Sequence, residues 1–450
     1  MSLMSDPMNP NLSHPEVDMS LRRFIKELGC IAGGTALLAT TPWLKSCTPE
    51  KLTEAARSGT ARLGIIGTGS RGQYHIHNLL QIPFARIVAL CDTYPVNLDA
   101  ASALVPDAKR YTDYRRLLED PEIDGVIIAT PLGSHARITL DSLSAGKHTF
   151  CEKAMALTME ECKEVYAAYQ ASDRALFYCM QRMYDPKYVK AFQMIRNGLI
   201  GDVVGMRCHW FRNADWRRPV PSAALERQIN WRLYREYSAG LMTELASHQL
   251  EVCTIVTGKI PTSVAGFGDI VYWKDGREVY DTVSLTYRFE DGRNIAYESL
   301  ISNKFNGMEE QILGHLGTMD LSKGIYYFEE DDSTFGIRRL LDQLKTGVFA
   351  AVPTAGPSWR PELREAHVPH AVMEHSTGLV TGESMIGADN DGSRDIVEAF
   401  CQSCLTGERA ENVVEEAYCA TLLCLMGNQA MDERRVVTLP DAYKIPYMKF

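Results

Sequence analysis

The stretch Arg62-Leu63-Gly64-Ile65-Ile66-Gly67-Thr68-Gly69-Ser70-Arg71-Gly72 decides the fold. Its first half is a short apolar run with β-branched residues, the composition of a buried parallel strand. Its second half spaces three glycines as G-x-G-x-x-G, and Gln73 to Leu80 can then open a helix. Such spacing alone is weak evidence, because it also occurs in loops that bind nothing. Between a strand and a helix it is a dinucleotide fingerprint: Gly67 makes the tight turn, Gly69 lets backbone approach a pyrophosphate, and Gly72 allows close helix packing. The helix N-terminus then faces the phosphates. Thr68, Ser70 and Arg71, between the glycines, are read as cofactor-binding with them.

A second strand, Arg86 to Cys91, ends at Asp92, 25 residues after Gly67. A carboxylate there accepts hydrogen bonds from ribose hydroxyls and repels a 2′-phosphate, so NAD is expected rather than NADP. Ile123 to Ala129 is another buried strand, broken at Thr130-Pro131 because proline cannot continue a central strand. His135 follows; Ala136 to Ala145 reads as helix, Gly146 as its stop, and His148 to Cys151 as the next strand. Strands alternating with helices predict a parallel, doubly wound sheet, whose ligands bind outside the carboxyl ends of the strands. Thr130, Pro131, His135, Glu152 and Lys153 all fall there. Lys153, one Rossmann domain beyond the glycine loop, adds a cation able to polarise a hydroxyl beside a redox cofactor.

Together these residues resemble the Gfo/Idh/MocA oxidoreductases, the glucose-fructose oxidoreductase and inositol dehydrogenase family, over about residues 61 to 440. The features carrying the resemblance are the glycine loop, Asp92, Ala129-Thr130-Pro131 with His135, Gly146-Lys147-His148 and Glu152-Lys153. The family's usual Glu-Lys-Pro has Ala154 in the third place here. The resemblance implies a second signature on a helix of the other domain, an acid and a histidine four residues apart; Glu244 and His248 fit it, with glutamate in place of the common aspartate. That spacing puts both on one face of a regular helix. Oxidising a secondary alcohol needs a base for the hydroxyl proton, and histidine titrates near neutral pH. The resemblance assigns His248 as general acid/base, Lys153 as hydroxyl polariser or proton relay, and Glu244 as supporting carboxylate. The bland alternative for Glu244 and His248 is a surface pair on an ordinary helix.

Between the signatures lies a run of aromatics and arginines: His209 to Asn213, Asp215 to Arg218, and Asn230 to Tyr237. Aromatic faces and charged hydrogen-bonders suit a polyol or glycoside. Nucleic acid uses the same residue types, but a net charge of −10 argues against that partner. Arg232 and Tyr237 are the candidate substrate contacts. Arg182, at the junction between domains, is read either as a contact or as a structural ion pair.

The remainder predicts a second domain. Strand-like runs at 263–270, 282–289 and 294–299, with turns at Asp275-Gly276 and Asp291-Gly292, suggest an antiparallel sheet. Arg394 to Cys404 and Val413 to Met426 read as helices. The expected architecture is α/β: an N-terminal Rossmann doubly wound parallel sheet over 61–185, then an α+β domain with a mostly antiparallel open sheet over 186–440. Residues 329–392 read as an irregular insertion or arm, and 441–450 as a tail. Residues 1–60 read as an export leader and linker: Arg22-Arg23 before a moderately apolar run resembles a twin-arginine signal, implying the periplasm or cell envelope, with a cytosolic enzyme as the alternative. The run is too weakly apolar for a membrane span, and membrane contact is expected only through this signal or a lipid at Cys47. The family's pairing of open sheets implies a homo-oligomer.

Twelve cysteines form no disulfide framework, and Cys401-Gln402-Ser403-Cys404 lacks a second metal-ligating pair; eleven histidines contain no H-E-x-x-H. No metal is expected. Three functions remain open at this point. The first is NAD-dependent oxidation of a hydroxyl on a sugar, cyclitol or glycoside. The second, known among relatives of the family, is a redox-neutral glycosidase in which oxidation at C3 acidifies the C2 proton, elimination breaks the glycosidic bond and the hydride returns. The third is a cofactor-binding protein without turnover.

Overall fold

The computed structural model describes residues 59–322, 325–328 and 391–446. The leader with Cys47, the arm proper and the final four residues lie outside them.

Six strands, β1 (Ala61–Ile66), β2 (Ala85–Cys91), β3 (Lys109–Tyr111), β4 (Gly125–Ile128), β5 (His148–Cys151) and β6 (Leu176–Tyr178), form the first sheet. Their order is β3-β2-β1-β4-β5-β6 with every pairing parallel. Helices α1 (Ser70–Leu79), α2 (Pro95–Leu104), α3 (Tyr114–Leu118), α4 (His135–Ser144) and α5 (Met159–Ala171) connect or flank them. β4 is buried at every position, which explains why it reads as an unbroken apolar run; β5 is equally buried although it opens on His148 and Thr149. The chain reverses its winding between β1 and β4, so a crevice opens outside the carboxyl ends there.

After α6 (Pro186–Arg196) the second sheet begins with β7 (Val203–Phe211). It continues through helix α7 (Ser247–Thr257), β8 (Ser263–Asp269), β9 (Thr282–Arg288), β10 (Asn294–Leu300), β11 (Met308–Gly314), β12 (Gly317–Asp320) and β13 (Ile325–Phe328), and ends with β14 (Val437–Thr438). The order is β13-β12-β11-β7-β10-β9-β8-β14; the β7–β10 pair is parallel and the other pairs antiparallel. Strict alternation in β9 buries Val283, Leu285 and Tyr287 and exposes Ser284 and Thr286, as one covered sheet face requires. Helix α9 (Val413–Glu433) supplies the cover: Tyr287 Oη donates to Leu423 O at 2.9 Å. The turns at Gly276 and Gly292 carry φ of +85° and +92°.

Helix α8 (Ser393–Thr406) crosses back to the first sheet. Phe400 packs on Phe150 and Phe177 with ring centroids 5.6 and 5.7 Å apart. A Cβ on Gly125 of β4 would lie 2.9 Å from Cys404 Sγ. A boundary at residue 186 therefore divides the chain but not the cores. Among the described residues every cysteine is free, and no helix is long and apolar enough to cross a membrane.

Candidate functional site

The carboxyl ends of β1, β2, β4 and β5 open on a cleft of about 980 Å³, which segments of the second domain line from the opposite side. Gly67 forms part of its floor, and Gly72 packs closely beneath Gly67. A Cβ on Gly67, whose φ is +88°, would sit 2.7 Å from Ala129 backbone, and one on Gly72 would sit 2.0 Å from Gly67 O. Gly69 differs: the nearest atom to its Cβ position is Asn97 Nδ2 at 3.5 Å, so its open side faces the cleft where a pyrophosphate must come close. Asp92 lines the cleft and is fixed by Thr68 N at 2.8 Å, Tyr94 N at 2.8 Å and Asn97 Nδ2 at 3.3 Å. Three of the donors to Asp92, the Thr68 hydroxyl included, fall on Oδ2, whereas among the described residues Oδ1 accepts only from Tyr94 N, so a lone pair of Oδ1 remains for a ribose hydroxyl. The residues thus fit NAD.

Two of the expected cofactor contacts are scaffold instead. Thr68 is fully buried and turns its hydroxyl inward to Asp92 at 3.2 Å, and Gly72 lies under Gly67; neither lines the cleft. Ser70, Arg71, Thr130, Pro131, His135, Glu152 and Lys153 all line it. His135 acts as a staple, with Nδ1 2.8 Å from Ala154 O and Nε2 2.9 Å from Thr130 O, tying the loop after β4 to the loop after β5. Burial, partly opposed by these carbonyls, lowers its pKa. The Lys153–Ala154 peptide is cis.

Glu152 holds two partners on one oxygen: Arg71 Nε at 2.5 Å and His75 Nε2 at 2.6 Å. Burial opposes its charge, yet Arg71 and His75 keep the carboxyl well below the usual range. His75, Glu152 and Cys179 bring ligand-type atoms within 4.8 Å of one another. Arg71 also donates to Cys179 Sγ at 3.3 Å, so the cation serving this cluster is a guanidinium.

The second domain contributes Glu244, His248 and Arg232. The expected regular helix is corrected here: Met242–Ala246 is a π-helical turn running into α7 at Ser247. Such bulges widen a helix locally and recur at functional sites. Lys153 Nζ crosses the cleft to the Thr243 and Glu244 carbonyl oxygens at 3.0 and 2.8 Å. Arg232 Nε donates to Glu244 Oε2 at 2.8 Å and its guanidinium stacks on Trp231 at 4.2 Å. Burial would raise the Glu244 pKa, but Lys153 and Arg232 outweigh it and lower it. Burial, joined by the charges of Lys153 and Arg182, pushes His248 well below the ordinary histidine pKa, so it sits in the cleft as a neutral base. Its buried Nδ1 has no hydrogen-bond partner. The surface-pair alternative for Glu244 and His248 is excluded by this burial.

Arg182 and Tyr237 do not line the cleft. Arg182 is buried, paired with Glu310 and in contact with Met308 Sδ at 3.0 Å; the ion-pair reading is the correct one. Tyr237 accepts from Gly133 N at 3.1 Å through its backbone oxygen, and a Cβ on Gly133 would strike Glu236 O at 2.8 Å, so this stretch seals the domains together. Cleft residues not singled out from sequence include Asn97, Gln181, Arg218, Gln228 and Trp231. Arg218 and Trp231 belong to the aromatic and arginine run; nothing in the sequence marks Asn97 or Gln228.

Residues 61–179 match the model of the oxidoreductase family with an NAD-binding Rossmann fold, GFO/IDH/MocA, and residues 188–320 match the GFO/IDH/MocA C-terminal domain. An uncharacterized oxidoreductase of Bacillus subtilis, YrbE, is 29% identical over 231 residues, 51% of this chain and 64% of that protein. An alpha-N-acetylgalactosaminidase of Shewanella oneidensis is 28% identical over 214 residues, 44% of this chain and 47% of the relative. The chain therefore spans less than two thirds of either relative's length. Among solved structures, levoglucosan dehydrogenase in complex with NADH and levoglucosan has a TM-score of 0.64 at 20% identity, covering 85% of this chain and 100% of that one. The myo-inositol 2-dehydrogenase of Lactobacillus plantarum has a TM-score of 0.62 at 19% identity, with coverage of 85% and 100%. With its glycine loop, Asp92 and both matched domains, the chain belongs to the GFO/IDH/MocA family of NAD-binding oxidoreductases.

Proposed function

We propose that the protein oxidises a secondary hydroxyl of a sugar, cyclitol or glycoside. The observation that carries this is the convergence of Lys153, Glu244 and His248 on the cleft whose other end is the glycine loop and Asp92. Bound there, NAD supplies a hydride acceptor. The chain's residues manage the proton. An ammonium has three donors; two of those of Lys153 are engaged by carbonyl oxygens, leaving one for the substrate hydroxyl. His248, held neutral by burial, accepts that hydroxyl's proton. Glu244 offsets the positive charge and holds Arg232 at the mouth, where Trp231 offers an aromatic face.

A second reading, a redox-neutral glycosidase, draws support from the relatives named as an alpha-N-acetylgalactosaminidase and as glycosyl hydrolase family 109 proteins. Absorbance at 340 nm with excess NAD, over free hexoses, inositols and intact glycosides, separates the two. NADH accumulating with one group supports the dehydrogenase. Sugar release without net NADH replaces it with the glycosidase. The Arg22-Arg23 pair supports export of the folded, cofactor-loaded protein to the cell envelope.

A further inference from the structure

A strap of the second domain, residues 214–229, passes over the dinucleotide end of the cleft. It touches the Rossmann domain at two points. Arg218 Nη2 reaches Ser70 Oγ, the first residue of α1, at 3.4 Å, and Gln228 Nε2 reaches Thr93 Oγ1, beside Asp92, at 3.4 Å. The backbone of Arg218 is clamped from both sides: Asn230 Oδ1 accepts from its N–H at 2.7 Å, and Asn230 Nδ2 donates to its carbonyl at 3.0 Å. Asn230 itself is 2% exposed.

The neighbouring arginine shows the contrast. Arg217 is occupied by Asp275 at 3.1 Å and by Glu226. The Arg218 guanidinium has no carboxylate partner among the described residues. The side chain is exposed and, on a clamped backbone, lies beside the N-terminus of α1, the positive end of that helix's dipole, whose first turn carries no acidic residue. Cation beside positive dipole end is unfavourable until an anion lies between them. The groove where they meet is the one in which Gly69 leaves room for a pyrophosphate.

We infer that Arg218 is a cofactor-binding residue supplied by the second domain, which neutralises the dinucleotide pyrophosphate from the side opposite the glycine loop. Asn230 is its positioning residue, and Gln228 closes the strap at the ribose end. The inference rests on the cleft being the NAD site and is independent of which sugar is oxidised.

The test is calorimetric titration of the full chain with NAD, ADP and adenosine. Charge-assisted contacts of this kind are worth about tenfold to hundredfold in affinity. Arg218→Ala is expected to weaken NAD and ADP by that factor and to leave adenosine, which has no phosphate, unchanged. Arg218→Lys recovers part of the loss, since a point charge replaces a fork. Equal affinity of wild type and Arg218→Ala for NAD and ADP overturns the assignment, as does an equal loss for adenosine, which would mark general damage to the strap. A wild-type chain that binds no NAD overturns the proposed function as well. A wild-type chain that binds NAD and oxidises sugar, beside an Arg218→Ala protein of undiminished NAD affinity, overturns only this inference.

Discussion

Lys153 and Glu244 meet through a backbone atom. The lysine ammonium, from the loop after β5, donates to the Glu244 carbonyl oxygen at 2.8 Å, while the Glu244 carboxylate turns to Arg232. One residue of the second domain thereby both anchors the first domain's cleft lysine and balances its charge. The π-helical turn is what presents that carbonyl.

Replacing Lys153 by Met removes the donor and the anchor together. The turnover number with a good substrate should fall by about a hundredfold to ten-thousandfold, the range for a positioned proton-transfer group. NAD affinity, measured by calorimetry, should change little. Full turnover in Lys153→Met would exclude it from the chemistry.

His248 should set the acid limb of the rate profile. Its pKa is depressed by burial and by the Lys153 and Arg182 charges, so the neutral base persists as pH falls below the usual histidine midpoint. A plot of kcat/KM for hydroxyl oxidation should stay level through pH 6.5 and decline only below it. A decline centred at or above 6.5 contradicts the assignment.

Gly69 and Gly72 should respond oppositely to alanine. At Gly72 the methyl would sit 2.0 Å from Gly67 O, so Gly72→Ala must shift backbone and lower the melting temperature. At Gly69 the backbone φ is −66° and the space is open, so stability should hold within about 0.5 kcal/mol. The Gly69→Ala protein should lose NAD affinity all the same. Equal behaviour of the two variants in both assays would contradict this division.

The Arg182–Glu310 pair is buried at both ends, with side chains 8% and 0% exposed. Glu310→Ala strands a guanidinium and should cost about 3–5 kcal/mol in urea unfolding. A loss under about 1 kcal/mol would mean that the pair behaves like a solvated surface contact.

Glu251 sits beneath the site on α7, fully buried, with neither carboxyl oxygen hydrogen-bonded. Burial, then the Glu416 charge, raises its pKa well above 4.5. The folded chain therefore keeps a proton that the unfolded chain releases once pH exceeds about 4.5, so this contribution is present at low pH and lost as pH rises. Relative to Glu251→Gln, the wild-type chain should lose up to about 1.4 kcal/mol per pH unit above that point. Urea midpoints of both proteins at pH 5 and pH 8 decide it; an unchanged difference would mean that Glu251 ionises freely in the folded state.

The Rossmann half was legible because its determinants are local. Gly67 to Gly72 act within one turn, and buried parallel strands such as Val126-Ile127-Ile128 announce themselves as apolar runs. The pairing of Lys153 with Glu244 and His248 followed from family resemblance, although the sequence spacing pointed to a regular helix where a π turn stands. Arg182 was ambiguous because its partner, Glu310, lies in β11, far along the chain, and no local pattern names it. Asn97 reaches the cleft from the first turn of α2 and Gln228 from a four-residue helix, Glu226–Ile229, and only the packed structure determines their direction.

Phe400 and Cys404 fill the first domain's core from the far end of the chain. Order of synthesis and order of assembly consequently differ. A nascent chain that has just completed β6 carries every glycine and carboxylate of the cofactor groove, yet Phe150 and Phe177 still await the ring that packs between them. The dinucleotide half is therefore expected to mature only once α8 has left the ribosome, and a fragment cut after residue 185 should be captured by chaperones or aggregate.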